Sequence, residues 1–80
     1  MFFVYIIRSK IRSRYYTGST EDLEERLRQH NAGKVKSTKA YRPWDIAYTE
    51  TFERREDAYA RERQIKAYKG GEAFRKLLGK

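Results

Sequence analysis

The chain contains no cysteine among its 80 residues. This absence excludes a disulfide framework, a zinc site built from thiolates and a cysteine nucleophile. Long apolar stretches are also missing, because the longest apolar run is about six residues, far below the ~20 of a membrane-spanning helix. No basic segment precedes a longer apolar stretch and a cleavage site, as a signal peptide requires. We therefore expect a cytoplasmic protein without a membrane partner.

Acidic residues are in the minority, with 11 Asp and Glu against 19 Lys and Arg, for a formal net charge of +8. The usual partner of such a surface is a polyanion, most often nucleic acid. The alternative is that the excess charge only maintains solubility. A chain of this length forms one small domain with a modest core. We therefore expect a single domain over residues 1–80, with its function on the surface or in a shallow cleft.

Hydrophobic periodicity predicts three strands and three helices in the order β-β-α-β-α-α. Trp44, Ile46 and Tyr48 alternate in the third strand and are expected on one face. Gly18 predicts a sharp exit from the second strand or a close backbone approach. The pattern favours an α/β sandwich, a mostly antiparallel three-stranded sheet with helices packed on it. The predicted segments are strands 2–8, 15–19 and 44–52, a helix capped by Ser19 or Thr20 and ended by Asn31 or Gly33, a basic loop over 34–42, and helices 55–69 and 72–78.

Glu62 is the clearest conflict between pattern and chemistry. It lies between Ala58 and Ile65, which mark the apolar stripe of the second predicted helix. A carboxylate there faces the sheet or a cleft edge, where acids are rarely tolerated unless they are paired or bind a metal. Two interpretations stay open, a functional carboxylate and a salt bridge to one of the many arginines.

Arg26 and His30 are spaced i, i+4 in the first predicted helix, so both project from one face. Arg26 also follows Leu23 by three residues, beside the buried edge, where its fork would hold a phosphate bidentately. His30 would act as a proton shuttle or as a donor to phosphate. The alternative for both residues is a solvated helix flank.

Tyr5 and Tyr16 lie on neighbouring predicted strands, so their phenols are expected to point into one site. A phenol is normally a neutral hydrogen-bonding group. Nearby arginines, lysines and a divalent ion would favour the ionised form, which takes a proton from water. The alternative is a core or rim position, which is common for strand tyrosines in a chain that has 7 of them.

The combination FVYII, YYTGST and a helix with Arg26 and His30 resembles the GIY-YIG nuclease family. The resemblance is strongest to the small stand-alone bacterial members of that family and covers nearly the whole chain. It includes an HN-x-GK turn after the first helix, an RPW-like third strand and an RE-x-QIK second helix. It implies the GIY-YIG fold and a divalent metal cofactor, Mg²⁺ or Mn²⁺.

The resemblance also implies roles for individual residues. Tyr16 is implied as the general base that activates water, and Tyr5 as its support through hydrogen bonds. Arg26 is implied to contact the scissile phosphate, and His30 matches the pattern of homing enzymes. Glu62 is implied as the single protein ligand of the metal. Gly18, the motif glycine, is implied to let the backbone pass close to the site.

Three departures from the family pattern accompany the resemblance. The first motif reads Phe3-Val4-Tyr5 and lacks its glycine, and Ser19 stands where repair nucleases have a lysine. No asparagine follows Asn31, although several family nucleases have a late one.

The preferred hypothesis is a metal-dependent DNA endonuclease, with a role in DNA repair or recombination. Gly18 and Ser19 at the second motif and the basic loop are expected to contact the nucleic-acid backbone without reading bases. One alternative is a catalytically weak or inactive nucleic-acid-binding module of the same fold. Another is an RNA- or ribosome-associated basic protein, which charge alone supports. The expected loop contacts are Lys34, Lys36, Lys39 and Arg42.

Overall fold

The fold is built on one three-stranded antiparallel sheet whose central strand is the first in the chain. The computed structural model describes residues 1–79. β1 (Phe2–Ser9) pairs with β2 (Tyr15–Thr20) on one side and with β3 (Trp44–Phe52) on the other. β2 and β3 are therefore the two edges of the sheet. The predicted order of strands and helices is confirmed.

Helices cover both faces of the sheet. They are α1 (Leu23–Asn31), α2 (Arg55–Ala67) and α3 (Glu72–Leu77), and a 3-10 turn, Lys39–Tyr41, lies in the loop before β3. Alternation along β1 separates the layers, because successive side chains of a strand point to opposite faces. Within residues 1–79, no helix combines the length and the apolar character needed to cross a lipid bilayer.

Two buried clusters result from this alternation. Val4 and Ile6 of β1 pack with the buried apolar residues of α2 and α3, which are Ala58, Ile65 and Phe74. Tyr5 and Ile7 point the other way and pack with Trp44 and with the apolar stripe of α1, which is Leu23 and Leu27. The Tyr5 side of the sheet therefore carries α1, and the opposite side carries α2 and α3.

Helix α1 begins later than the sequence predicts. Asp22, and not Ser19 or Thr20, is the N-cap residue, and its side chain accepts a hydrogen bond from the Glu25 N–H at 3.0 Å. Ser19 and Thr20 are still paired with β1. The chain can turn into a helix only after it leaves the sheet, so the cap falls to the next capping residue, Asp22.

The prediction that Trp44, Ile46 and Tyr48 share one face is wrong. Trp44 is buried in the α1 layer and Tyr48 packs in the α2 layer, while Ile46 is 37% exposed. A β-bulge causes the difference, because Ile46 and Tyr48 pair with consecutive residues of β1 and leave Ala47 as an extra residue. The residues after Ala47 therefore face the opposite layer from the one expected.

An ion pair fixes helix α2 against β3. The Arg61 guanidinium forms two parallel hydrogen bonds to the Glu50 carboxylate, with Nε–Oε1 at 2.9 Å and Nη2–Oε2 at 2.8 Å. The same guanidinium lowers the pKa of the Glu50 carboxyl. Bidentate pairs of this kind add geometric specificity, so the contact restrains α2 against β3 at the residue next to Glu62.

Gly18 makes room for the Tyr5 phenol. The two residues are paired across β1 and β2, and a Cβ atom at Gly18 would lie 2.6 Å from the Tyr5 hydroxyl and 2.8 Å from its ring carbon Cζ. The predicted close approach is thus confirmed, whereas the predicted sharp exit is wrong because Gly18 lies inside β2.

Gly18→Ala is expected to destabilise the protein by about 1–3 kcal/mol, the usual cost of overpacking a core. Tyr5 is only 1% exposed, so its ring cannot swing into solvent to accept the methyl group. Urea unfolding followed by circular dichroism measures the change. A loss below about 0.5 kcal/mol, the range of ordinary surface substitutions, would contradict this account.

Candidate active site

The side-chain rings of Tyr5, Tyr16 and His30 lie together at the β2 edge. The Tyr5 hydroxyl is 2.9 Å from Nε2 of His30. The Tyr16 ring centroid lies 6.4 Å from that of Tyr5 and 5.1 Å from that of His30. The two tyrosines are therefore close together, as expected from their neighbouring strands. Helix α1 contributes the imidazole of His30.

A directed hydrogen-bond chain assigns the His30 tautomer. The Thr38 hydroxyl donates to the Val35 carbonyl at 3.3 Å, so its oxygen is left to accept from Nδ1 of His30 at 2.8 Å. Nε2 is then the unprotonated nitrogen and accepts the Tyr5 O–H. These hydrogen bonds connect β1 through α1 to the loop before β3, and they fix the direction of the Tyr5 phenol.

Both inner groups of this chain are neutral at neutral pH. Burial, with a smaller contribution from the charge of Arg26, lowers the pKa of His30 to about 4. Burial raises the pKa of Tyr5, although Arg26 opposes the rise. His30 has 0% exposure, so it does not lie on a solvated flank and its ring does not reach a phosphate on the surface. A part in proton transfer stays a prediction.

Arg26 lies at the boundary between this buried chain and solvent. It is half-buried, and its Nη1 donates to Oε1 of Gln29 at 2.9 Å. Its charge acts on both Tyr5 and His30, as the causes of their shifted pKa values show. The guanidinium therefore places a permanent positive charge beside Tyr5 and His30.

Glu62 reaches the same edge from the opposite face of the sheet. The Ser19 hydroxyl donates to its Oε1 at 2.6 Å, and Nζ of Lys66 lies 2.8 Å from its Oε2. The same Nζ lies 5.8 Å from the centre of the Tyr16 ring. The carboxylate is thus paired, but with Lys66 one turn along α2, not with an arginine as the sequence suggested. Its side chain keeps 19% exposure.

The donor set suits a hard cation that keeps most of its water. Among residues 1–79, no three His, Asp or Glu side chains are grouped closely enough to hold a metal by themselves. One partly exposed carboxylate is a typical protein contribution to a Mg²⁺ site, where water and substrate phosphates supply the other ligands. Glu62 is therefore compatible with a divalent ion. Its Oε2 atom is also paired with the Lys66 ammonium.

Gly18 and Ser19 occupy different places from those expected of nucleic-acid contacts. Gly18 is buried beneath Tyr5, and Ser19 is half-buried with its hydroxyl on Glu62. Both therefore shape the site from within, and a direct contact of either with a nucleic acid stays a prediction.

The basic loop lies beyond the C-terminal end of α1. Its four predicted contacts are exposed, and its buried residue, Thr38, ties it to His30. Asn31 ties the far end, because its side-chain oxygen accepts the Trp44 N–H at 2.6 Å. Arg42 is extended before Pro43, as predicted, with φ −69° and ψ 154°. The exposed residues are Lys34, Lys36, Lys39 and Arg42.

Comparison with known proteins identifies the family of this chain. The family model for the GIY-YIG catalytic domain matches residues 1–72. The chain belongs to the GIY-YIG family. The family is one of nucleases, which generally use divalent metal ions.

Several relatives of this GIY-YIG chain are small proteins of similar length. It is 43% identical over 67 residues to a UPF0213 protein of Staphylococcus haemolyticus, covering 82% of this chain and 80% of the relative. A UPF0213 protein of Haloquadratum walsbyi is 42% identical over 67 residues, covering 82% and 74%. The solution NMR structure of a UPF0213 protein of Bacillus halodurans is 33% identical with a TM-score of 0.50, covering 84% of this chain and 72% of that one.

Sequence reasoning missed two residues of the candidate site. Lys66 lies four residues after Glu62, and the i, i+4 spacing alone could have indicated the ion pair. Thr38 carried no signal, because a threonine in a polar loop is normally solvated, yet it is only 1% exposed here.

His30 is expected to make the stability of the protein depend on pH. Its pKa of about 4 in the folded state lies below the ordinary 6.5, so the unfolded chain binds more protons between these values and stability falls as pH decreases through this window. Between pH 6.5 and 4.5 the loss is expected to reach about 2–3 kcal/mol, from about 1.4 kcal/mol per pH unit. His30→Gln, which keeps an acceptor for Tyr5, should be less stable at pH 7 but nearly flat across this range.

Urea unfolding at a series of pH values measures this effect. The carboxyls whose pKa values are lowered, Glu25 and Glu50, lose their contribution only below their ordinary value of 4.5, so the window isolates the imidazole. Equal slopes for the wild type and His30→Gln would show that His30 does not titrate on unfolding.

Proposed function

We propose that this protein is a metal-dependent DNA endonuclease that hydrolyses phosphodiester bonds. The observation that carries the proposal is the convergence of Tyr5, Tyr16, Arg26 and Glu62 from four different elements on one edge of the sheet. Tyr5 feels the charges of Arg26, Tyr16 and Glu62, so the four groups share one electrostatic environment. A surface used only for binding has no need of a carboxylate held beside a phenol.

Tyr16 is the group best placed to act as the general base. It is half-buried, so its phenol has access to solvent, whereas the Tyr5 hydroxyl is committed to His30 at 2.9 Å. In its ionised form Tyr16 accepts a proton from the attacking water. The Lys66 ammonium lies 5.8 Å from the centre of its ring.

Arg26 supplies fixed positive charge for the phosphoryl group. Charge builds up on the phosphate oxygens during hydrolysis, and a preorganised cation stabilises it without reorganising solvent. Gln29 holds Nη1 at 2.9 Å, and the guanidinium also hydrogen-bonds the Tyr5 phenol, so its charge is held in place beside the site. The neutral Tyr5–His30 pair holds the floor of the site and keeps water out from beneath it.

Glu62 would hold the divalent metal, Mg²⁺ or Mn²⁺. When bound, such an ion polarises the phosphate and stabilises the leaving oxygen. The Ser19 hydroxyl, which donates to Oε1 at 2.6 Å, fixes the rotation of the carboxylate. Lys66 compensates the charge of the carboxylate through Oε2.

The exposed cations of the basic loop would hold the DNA backbone on either side of the cleaved bond. Contacts of this kind give affinity without reading bases, and they predict binding that weakens steeply as salt rises. RNA fits the same electrostatic description as DNA. Action in DNA repair or recombination, in the cytoplasm, belongs to the same proposal.

A second candidate function is a nucleic-acid-binding module with little or no turnover. The observation that favours it is the state of Glu62, which is neutralised by Lys66 at 2.8 Å and hydrogen-bonded by Ser19. A carboxylate with both oxygens engaged is stable without any metal. The structure of the site is therefore compatible with a protein that binds DNA and leaves it intact.

Nicking of supercoiled plasmid at low salt separates the two functions. With Mg²⁺ or Mn²⁺, the wild type should nick DNA and EDTA should stop it. Tyr16→Phe should reduce the rate at least about 100-fold, the usual contribution of a general base. Glu62→Ala should abolish metal-dependent cleavage.

Matched controls lie on α2. Tyr59→Phe removes the hydroxyl of a tyrosine that is 48% exposed, and Glu56→Ala removes an exposed acid, so both should nick like the wild type. Every variant is first checked for folding by circular dichroism. Equal nicking by all of them would identify a contaminant, and salt-sensitive binding without nicking would establish the binding module.

A further inference from the structure

A hollow of about 420 Å³ opens beside Tyr16 on the α2 side of the β2 edge. Its volume lies within the roughly 300–1,000 Å³ of sites for small ligands. The Tyr15 ring, set edge-on against Phe74 with 5.4 Å between centroids, forms part of its apolar floor. We call it the Lys69 hollow; the lining residues used below are Arg14, Tyr15, Tyr16, Lys66, Lys69 and Phe74.

Cations surround this apolar floor. Arg14 stands at the β2 side, and Lys66 and Lys69 stand at the C-terminal end of α2. Aromatic surface with positive charge at its rim is the combination that binds an unpaired nucleotide, because the base stacks on the ring and the phosphate meets the cations.

The backbone of Lys69 is the second observation. Its φ is +51°, in the left-handed region that strains a residue with a Cβ atom and that glycine normally occupies after a helix. The next residue, Gly70, also has a positive φ, of +74°. Lys69 therefore brings a charged side chain to the rim of the hollow at a position where glycine would be relaxed.

The charge around the site is asymmetric. The depression of about 370 Å³ at the start of α1 contains Arg26, but it also contains Glu21, Asp22 and Glu25. An anionic backbone is repelled by these carboxylates and attracted by the rim of the Lys69 hollow. A nucleic-acid strand that passes Tyr16 is therefore attracted more strongly to the α2 side of the β2 edge.

Arg14 joins the hollow to the basic loop. Its guanidinium carbon lies 4.8 Å above the ring of Tyr41, which belongs to the turn in that loop, and the same residue lines the hollow. Arg14 therefore lies between the hollow and the loop, with its guanidinium on the loop side.

We infer that the Lys69 hollow binds an unpaired nucleotide next to the phosphodiester bond at the candidate active site. The base rests against Tyr15, and the adjoining phosphate lies between Lys69 and Arg14. This inference rests on the proposed function for the position of the bond, and it adds that the substrate strand is unstacked on one side of that bond.

Fluorescence anisotropy in EDTA tests the site without any cleavage. The probes are a fluorescein-labelled single-stranded oligothymidylate, an abasic deoxyribose-phosphate chain of the same length and a blunt duplex. The variants are Lys69→Gly, which also relieves the backbone strain, Arg14→Ala and the control Arg63→Ala, which removes an exposed charge on α2 outside the hollow.

Lys69→Gly and Arg14→Ala should each weaken oligothymidylate binding about 3- to 10-fold at low salt. Each should also reduce the slope of log affinity against log salt by about 0.7, the value for one phosphate contact on a single strand. The affinity of Arg63→Ala for oligothymidylate should stay within about twofold of the wild type. The affinity of all three variants for the duplex should also stay within about twofold. The wild type should bind the abasic chain at least about fivefold more weakly than oligothymidylate.

The inference would be overturned if Lys69→Gly bound oligothymidylate as tightly as the wild type. It would also be overturned if Arg63→Ala lost as much affinity, or if the variants lost as much affinity for the duplex. Equal binding of the abasic chain would overturn the part played by Tyr15. Plasmid nicking reports on the nuclease separately. If the expected binding pattern is found without nicking, the nucleotide site is supported and the proposed nuclease is overturned. If nicking is found without this binding pattern, the nuclease is supported and the nucleotide site is overturned.

Discussion

The hydrogen bond between the Tyr5 hydroxyl and His30 is the interaction on which the site depends. It joins the central strand of the sheet to α1 through two side chains that have almost no exposed surface. A polar pair can be buried in this way only when every donor and acceptor is satisfied, and Thr38 completes that requirement. Gly18 then follows as a steric consequence, because the phenol occupies the space of its missing side chain.

This buried hydrogen-bond network also gives the two tyrosines different environments. Tyr5 is held inside by its partner and stays neutral, while Tyr16 lies one strand further out at an edge where solvent and Lys66 reach it. Residues from α1 and α2 meet at β2 because it is an edge strand that side chains from both layers can pass. A site at the middle of the sheet would separate Arg26 from Glu62.

The architecture and the approximate position of the site could be predicted from sequence. Period-2 and helical patterns give the three strands and three helices, and adjacency of strands brings Tyr5 near Tyr16. The N-cap could not be chosen correctly, because Ser19, Thr20 and Asp22 have similar capping propensities and only the end of the pairing with β1 selects among them.

Other features depend on tertiary contacts that no local pattern encodes. The bulge at Ala47 reverses the faces of β3 while its sequence still alternates. The burial of His30 and Thr38 depends on how the loop before β3 folds over α1. Membership of the GIY-YIG family, shown by the match over residues 1–72, fixes the type of fold and not these local arrangements.

The Lys66–Glu62 ion pair affects how any polyanion first meets this surface. A lone carboxylate at the β2 edge would create a local negative potential and slow the encounter. Because the ammonium is 2.8 Å from Oε2, the pair is nearly neutral at a distance, and the surrounding excess of cations governs the long-range field. A polyanion would therefore be attracted to this edge whether or not a divalent ion is bound there.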